Sequence, residues 1–300
     1  MFPLFILGGV LLLGGVMIVS VSRRTDVPAF YSEWFFNRVR EGFAETKNPF
    51  NPKQIRAVSL KPEDVDCFVF WSKNPSPMME RLDLLREYGF YFQFTLNGYG
   101  EDIEVGVPAL ENRVETMKRL CDKVGKERIV WRYDPILITE RYSAEFHRDM
   151  FGKLAAKLEG CFDVSVISFV DRYGKNAKRF DEKGIREPDP EEVVCIAEGF
   201  AAVGKEGNFE INTCAEKTEL GEYGIGHSSC IDLGRIQRII GHEVKAAADK
   251  NQREGCRCAA SVDIGTYDTC LHKCVYCYAN RSDKSAQGGF VRHDPASPLL

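Results

Sequence analysis

The stretch ASVDIGTYDTCLHKCVYCYAN, residues 260–280, decides how the rest of the chain is read. It opens with a short strand-like run, ASVDIG (260–265), and soon reaches three cysteines. Cys270, Cys274 and Cys277 are spaced C-x3-C-x2-C, with Tyr276 just before the last. Closely spaced cysteines can present several thiolates to one compact cube of iron and sulfide with little backbone left free. Three ligands on a four-iron cluster leave one iron open to a group other than cysteine. Such a loop normally opens an enzyme, with the body of the fold after it. Here only 23 residues follow Cys277, so the body must lie in front.

Upstream, strand-like and helix-like segments alternate. IVSV (18–21), DCFVFW (66–71), FYFQFTL (90–96), RIVWRY (128–133), DVSVISF (163–169) and FEINT (209–213) read as strands, and ASVDIG is the seventh. Helices are expected around 31–42, from Ser76-Pro77 to Gly89, over 108–124, over 143–158, from Asp189-Pro190 to near Gly204, and in IDLGRIQRII (231–240). IRAVSL (55–60) is a weaker eighth strand or a side hairpin. This order predicts an α/β fold with a parallel sheet and right-handed crossovers. At this length a TIM-barrel-like β/α barrel, full or partial, is expected, with an open doubly wound sheet as the alternative. No low-complexity linker divides residues 17–300, which read as one domain with an iron–sulfur cysteine region over about 214–280.

A net charge of −4 argues against a protein that holds nucleic acid mainly through phosphates. The eleven cysteines fall into two populations. Cys67, Cys121, Cys161 and Cys195 lie in apolar stretches and read as small core hydrophobes. The other seven lie in the last third, which points to metal or redox chemistry before a disulfide framework. No charge precedes Arg23. Residues 1–16 read as a hydrophobic extension ahead of a cytoplasmic domain starting near Met17. A membrane anchor is the alternative, with Arg23 and Arg24 holding the domain in the cytoplasm.

The carboxyl ends of the first six strands carry SRRTD (22–26), WSKNP (71–75), TLNGY (95–99), WRYDP (131–135), SFVDRY (168–173) and NTCAE (212–216). In a parallel barrel these ends converge on the rim where active sites sit, and the cysteine loop joins them there. Turn chemistry alone accounts for Asn-Pro and Asp-Pro, but not for a polar cluster at every strand end.

CLHKCVYC (270–277) resembles the cluster motif of the radical S-adenosylmethionine (SAM) enzymes, aromatic included. From about Met17 the chain also resembles a family defined only as a domain of unknown function, which pairs a barrel beginning SRRTD with such a cluster at its C-terminus. SRRTD, FWSKNP, RYDPI, TCAE, DIGTYDTC and CVYCYA carry that resemblance. It implies that Cys270, Cys274 and Cys277 bind a [4Fe–4S] cluster whose open iron is chelated by the amino and carboxylate groups of SAM. One electron then cleaves the sulfonium, giving methionine and a 5′-deoxyadenosyl radical that takes hydrogen from a substrate. A reductant such as flavodoxin or ferredoxin is implied as a partner, and Tyr276 would lie near the adenine edge.

In that superfamily the loop follows the first strand, whereas here it comes last. A circular permutation accounts for this if ASVDIG pairs beside IVSV and brings SRRTD next to the cluster. Rim position then makes Arg23, Arg24, Lys73 and Arg132 candidate cations for the SAM carboxylate. Asp26, Asn97, Asp134 and Glu216 are candidate acceptors for ammonium or ribose hydroxyls.

Cys214, Cys230, Cys256 and Cys258 could bind a second cluster, or serve as core thiols or a redox-active pair. His227, His242 and His272 read as hydrogen-bonded non-ligands. The basic run from Arg172 to Arg186 reads as a solvated face. Two competing functions are a non-radical iron–sulfur electron carrier or redox sensor, and a barrel that binds a ligand or polynucleotide and is stabilised by zinc on Cys256, Cys258, Cys274 and Cys277. A simple carrier needs no polar rim, which favours the enzyme.

Overall fold

The structure is a computed structural model that describes residues 4–7, 10–13, 17–216, 218–249, 252 and 255–300. β1 (Leu4–Leu7) and β2 (Val10–Leu13) pair antiparallel. β3 (Met17–Val21) leads into α1 (Val27–Phe30) and α2 (Ser32–Glu41). β4 (Phe43–Asn48) and β5 (Asn51–Ser59) form an antiparallel pair, so the run around IRAVSL is the side hairpin. Then come β6 (Val65–Ser72), α3 (Ser76–Met79), β7 (Gly89–Thr95), α4 (Leu110–Val124), β8 (Ile129–Ile136), α5 (Ala144–Lys157) and β9 (Val164–Phe169). The chain continues through α6 (Ala177–Lys183), α7 (Pro190–Gly207), β10 (Glu210–Thr213), β11 (Gly226–His227), α8 (Leu233–Ile240), β12 (Val262–Asp263) and α9 (Asp283–Val291).

Eight strands form one sheet in the order β11-β10-β9-β8-β7-β6-β3-β12, and every neighbouring pair is parallel. All seven strands read from the sequence belong to it. Their continuous apolar runs follow from burial on both faces. One face packs Val19, Phe68, Phe70, Phe92 and Trp131 with Phe35 of α2, Met117 of α4, Phe151 of α5 and Phe200 of α7. The other face, with Ile18, Val69, Tyr91, Val130 and Val166, is covered by the segment carrying Cys230, Ile231, Ile236, Val244 and Cys258.

That covering segment bears on the barrel expectation. No pairing joins β11 to β12 among the described residues, so closure into a full barrel is not shown; the fold is α/β, built on one eight-stranded parallel sheet. Both edge strands are only two residues long, and one face of the sheet is covered by α8 and the chain after it. The helix expected from Ser76 to Gly89 is also cut short. It is one α turn, then a 3-10 turn over Leu82–Leu85, whose longer rise brings the chain quickly to Gly89 beside Cys67. Among the described residues no helix is long and apolar enough to cross a membrane. Of the expected N-terminal extension, residues 1–3, 8, 9 and 14–16 lie outside the described residues.

Candidate functional site

The first and last strands of the sheet are neighbours. Val262 pairs with Val19 and Asp263 with Ser20, so the strand read as ASVDIG lies beside IVSV. The Asp263 carboxylate stitches them together. It accepts from Ser20 Oγ (2.8 Å), Ser22 Oγ (2.6 Å), the Arg23 N–H (2.8 Å) and the Gly265 N–H (2.9 Å). A side chain at Gly265 would meet Ser22 Oγ at 2.1 Å, so glycine permits the close approach.

The cysteine loop is clamped from several sides. Asp26 caps α1 through the Ala29 N–H (3.0 Å), accepts the Lys73 N–H (2.8 Å) and holds His272 Nε2 at 2.7 Å. Tyr31 donates to the Thr269 carbonyl, the Gly106 N–H to that of His272, and Asn280 to that of Cys270. His272 and His227 are both hydrogen-bonded, as read from the sequence.

These contacts place a cavity of about 950 Å³ at the carboxyl edge of the sheet. Cys270, Cys274 and Cys277 line it, and so do Cys214, Cys230, Cys256 and Cys258. Arg23, Arg24, Asp26, Lys73, Arg132, Asp134 and Tyr276 line it too. Two expected site residues do not. Asn97 is buried and donates to the Asp134 carbonyl (2.9 Å), and Glu216 accepts the Phe169 N–H (2.9 Å). Each steadies a strand end from behind the wall.

Sequence reading missed the carboxylate that organises this wall. Glu104 is buried, 2.7 Å from Lys73 Nζ and 3.0 Å from Arg113 Nη1, and it accepts the Tyr276 hydroxyl. Burial pushes its pKa up, but Lys73 and Arg113 outweigh that and hold it below the usual glutamate value. Its backbone bridges to Cys274, so this ion group backs the loop directly. Glu104 lies in a loop rather than at a strand end, which is why the rim pattern passed over it. Asp263 was the more legible omission, being a lone carboxylate inside an apolar strand.

The cations are differently engaged. Arg132 pairs with Asp134 and donates to Cys230 Sγ at 2.9 Å. Arg24 donates to the Gly265 carbonyl. Arg23 stacks over Trp71, and its Nη2 atom is buried and meets no hydrogen-bond partner among the described residues.

The loop thiols suit a metal more than a proton-exchanging role. Burial raises Cys270 to about 12 and Cys274 well above the usual thiol value, with the Lys73 charge opposing the shift at Cys274. Thiols so placed ionise readily only when a metal takes the place of the proton. No group of three or more His, Cys, Asp or Glu side chains among the described residues is gathered for a single metal ion. A four-iron cube seats each thiolate on a different iron, so its ligands stand further apart than those of one ion. The donor set of the loop fits the cube.

Residues 18–279 match the family profile DUF1848, a domain of unknown function. The chain belongs to this family. No curated protein and no solved structure matches the chain. The DUF1848 span begins inside β3 and ends just past Cys277, so it holds both the SRRTD edge and the cysteine loop that packs against it. Every cysteine, cation and carboxylate of the cavity described above falls within the DUF1848 span.

Proposed function

We propose that this DUF1848 chain is a radical SAM-type iron–sulfur enzyme on a circularly permuted, partial β/α barrel. One observation carries the reading. The C-x3-C-x2-C loop opens into a large cavity at the carboxyl edge of a parallel sheet, beside the strand that starts the chain's fold. A plain electron carrier has no use for a cavity of that size lined by arginine, lysine and aspartate.

Cys270, Cys274 and Cys277 would hold a [4Fe–4S] cluster. When bound and reduced, cluster and SAM together supply a 5′-deoxyadenosyl radical able to take a hydrogen atom from a substrate. The chain supplies position and charge. Arg23 has the spare donor suited to a carboxylate, because Lys73 and Arg132 are already paired with Glu104 and Asp134. Tyr276, fixed through its hydroxyl to Glu104, presents its ring to the cavity as a wall for an aromatic group. Asp26 acts as a positioning residue for the loop. An oxygen-labile centre and thiols outside disulfides suit a reducing cytoplasm, where flavodoxin or ferredoxin would deliver the electron.

The test is anaerobic reconstitution with iron and sulfide, reduction, addition of SAM and mass spectrometry for 5′-deoxyadenosine. Product from the wild type and none from Cys274→Ala supports the reading. Bound iron and sulfide without product leaves an electron carrier. Zinc with no iron defeats both.

A further inference from the structure

Four thiols stand outside the loop. Cys214 follows β10, Cys230 follows β11, and Cys256 and Cys258 precede β12, yet all four line the cavity that the loop lines. Cys214, Cys230 and Cys258 are buried, and none of the four is in a disulfide. The Cys214 and Cys230 sulfurs lie 2.8 Å apart, and the Ile231 N–H points at Cys258 Sγ from 3.5 Å.

Two guanidinium groups stand in the same wall. Arg132, itself buried, donates to Cys230 at 2.9 Å, and the half-buried Arg23 lines the same cavity. A neutral core cysteine packs as a small hydrophobe and gains little from such neighbours. Burying a guanidinium is costly unless negative charge comes with it. Asp134 provides part of that charge for Arg132, whose other guanidinium nitrogen donates to Gln93 and to Cys230 Sγ. Ionised sulfur in this wall would complete the balance.

We infer that Cys214, Cys230, Cys256 and Cys258 hold a second iron–sulfur cluster in the same cavity. Such a cluster is anionic, and N–H donors and cations around its sulfurs stabilise it and set its potential. Binding turns the Cys214 and Cys230 side chains apart, since sulfurs in contact cannot each hold a separate iron of one cube. Four thiolates fill the four irons, so this centre, unlike the loop, leaves none open to SAM. The inference extends the iron–sulfur reading of the chain, but it is tested separately from the loop.

Three proteins are reconstituted anaerobically with ferrous iron and sulfide: the wild type, Cys270→Ala/Cys274→Ala/Cys277→Ala, and Cys256→Ala/Cys258→Ala. The expected contents are about eight irons and eight sulfides per wild-type chain, and about four of each in either variant. The reduced loop variant should give an electron paramagnetic resonance signal that SAM leaves unchanged. A loop variant with no iron, or with zinc instead, overturns the inference, and so does a signal that SAM alters. If the wild type and the loop variant both hold about four irons, the second site stands and the loop reading fails. Should the loop variant not fold, the complementary one decides: iron retained at the wild-type level overturns the inference, and loss of iron supports it.

Discussion

His272 Nε2 lies 2.7 Å from the Asp26 carboxylate, both side chains buried, across 246 residues of sequence. The same carboxylate caps α1 and holds the Lys73 backbone, so one side chain fixes the loop, the SRRTD turn and the end of β6. Asp26→Ala leaves three donors without an acceptor and should destabilise the chain by about 3 kcal/mol. Iron retention after reconstitution should fall as well. Unfolding in denaturant and an iron count measure the two effects. Wild-type values for both would mean that the loop is held elsewhere.

Glu104 answers two cations at once, the buried Arg113 and the half-buried Lys73. Glu104→Gln should cost about 3–5 kcal/mol, because it strands Lys73 and Arg113. It also adds a pH signature. The folded-state pKa of Glu104 is lowered, so its contribution is complete above the ordinary glutamate value of 4.5 and is lost as pH falls through the lowered one. Urea unfolding from pH 5 downward should therefore be steeper in pH for the wild type than for the variant. Parallel curves would remove Glu104 as the source.

How far the sequence revealed this arrangement depends on the kind of signal. Continuous apolar runs such as DCFVFW identify a strand because both faces are buried, and all seven took their places in the sheet. The neighbourhood of ASVDIG and IVSV followed from the displaced loop, and the Asp263–Ser20 register bears it out. A closed barrel is not shown, and periodicity does not reveal that the segment after Cys230 covers one face of the sheet. Rim position shows which loop meets the cavity, but not which way each side chain turns. Thus Arg23 and Arg132 face inward, whereas Asn97 and Glu216 tie backbone from behind. Glu104 lay outside any pattern, since its role arises only when Lys73, Arg113 and Tyr276 converge on it.

Two glycines set how closely the chain approaches the loop. A methyl group at Gly106 would meet the Leu271 carbonyl at 2.5 Å, and one at Gly265 would meet Ser22 Oγ at 2.1 Å. Gly106→Ala presses on loop backbone, which cannot rotate away as a side chain can. It should cost about 2 kcal/mol and speed amide exchange across residues 269–280. Hydrogen exchange read by mass spectrometry checks this, with strands β8 and β9 as the internal standard. Uniform exchange changes over the whole sheet would count against a local effect.

His147 gives a second pH-dependent contribution in a separate window. It is fully buried, with the Tyr133 hydroxyl 2.8 Å from Nδ1 and Nε2 donating to the Leu137 carbonyl. Since a carbonyl only accepts, the hydrogen sits on Nε2 and Tyr133 donates to Nδ1. Burial lowers the pKa to about 4 from the ordinary 6.5, against the opposing bond to Leu137. The unfolded chain therefore takes up a proton that the folded chain refuses between those values. Stability is complete above pH 6.5 and declines as pH falls towards 4, by about 3 kcal/mol in all. His147→Gln should be less stable at pH 7 but should lose less between pH 6.5 and 4.5, where Glu104 is still ionised. Unfolding curves at half-unit pH steps separate the two groups. An unchanged slope in that window would show that His147 already carries its proton in the folded state.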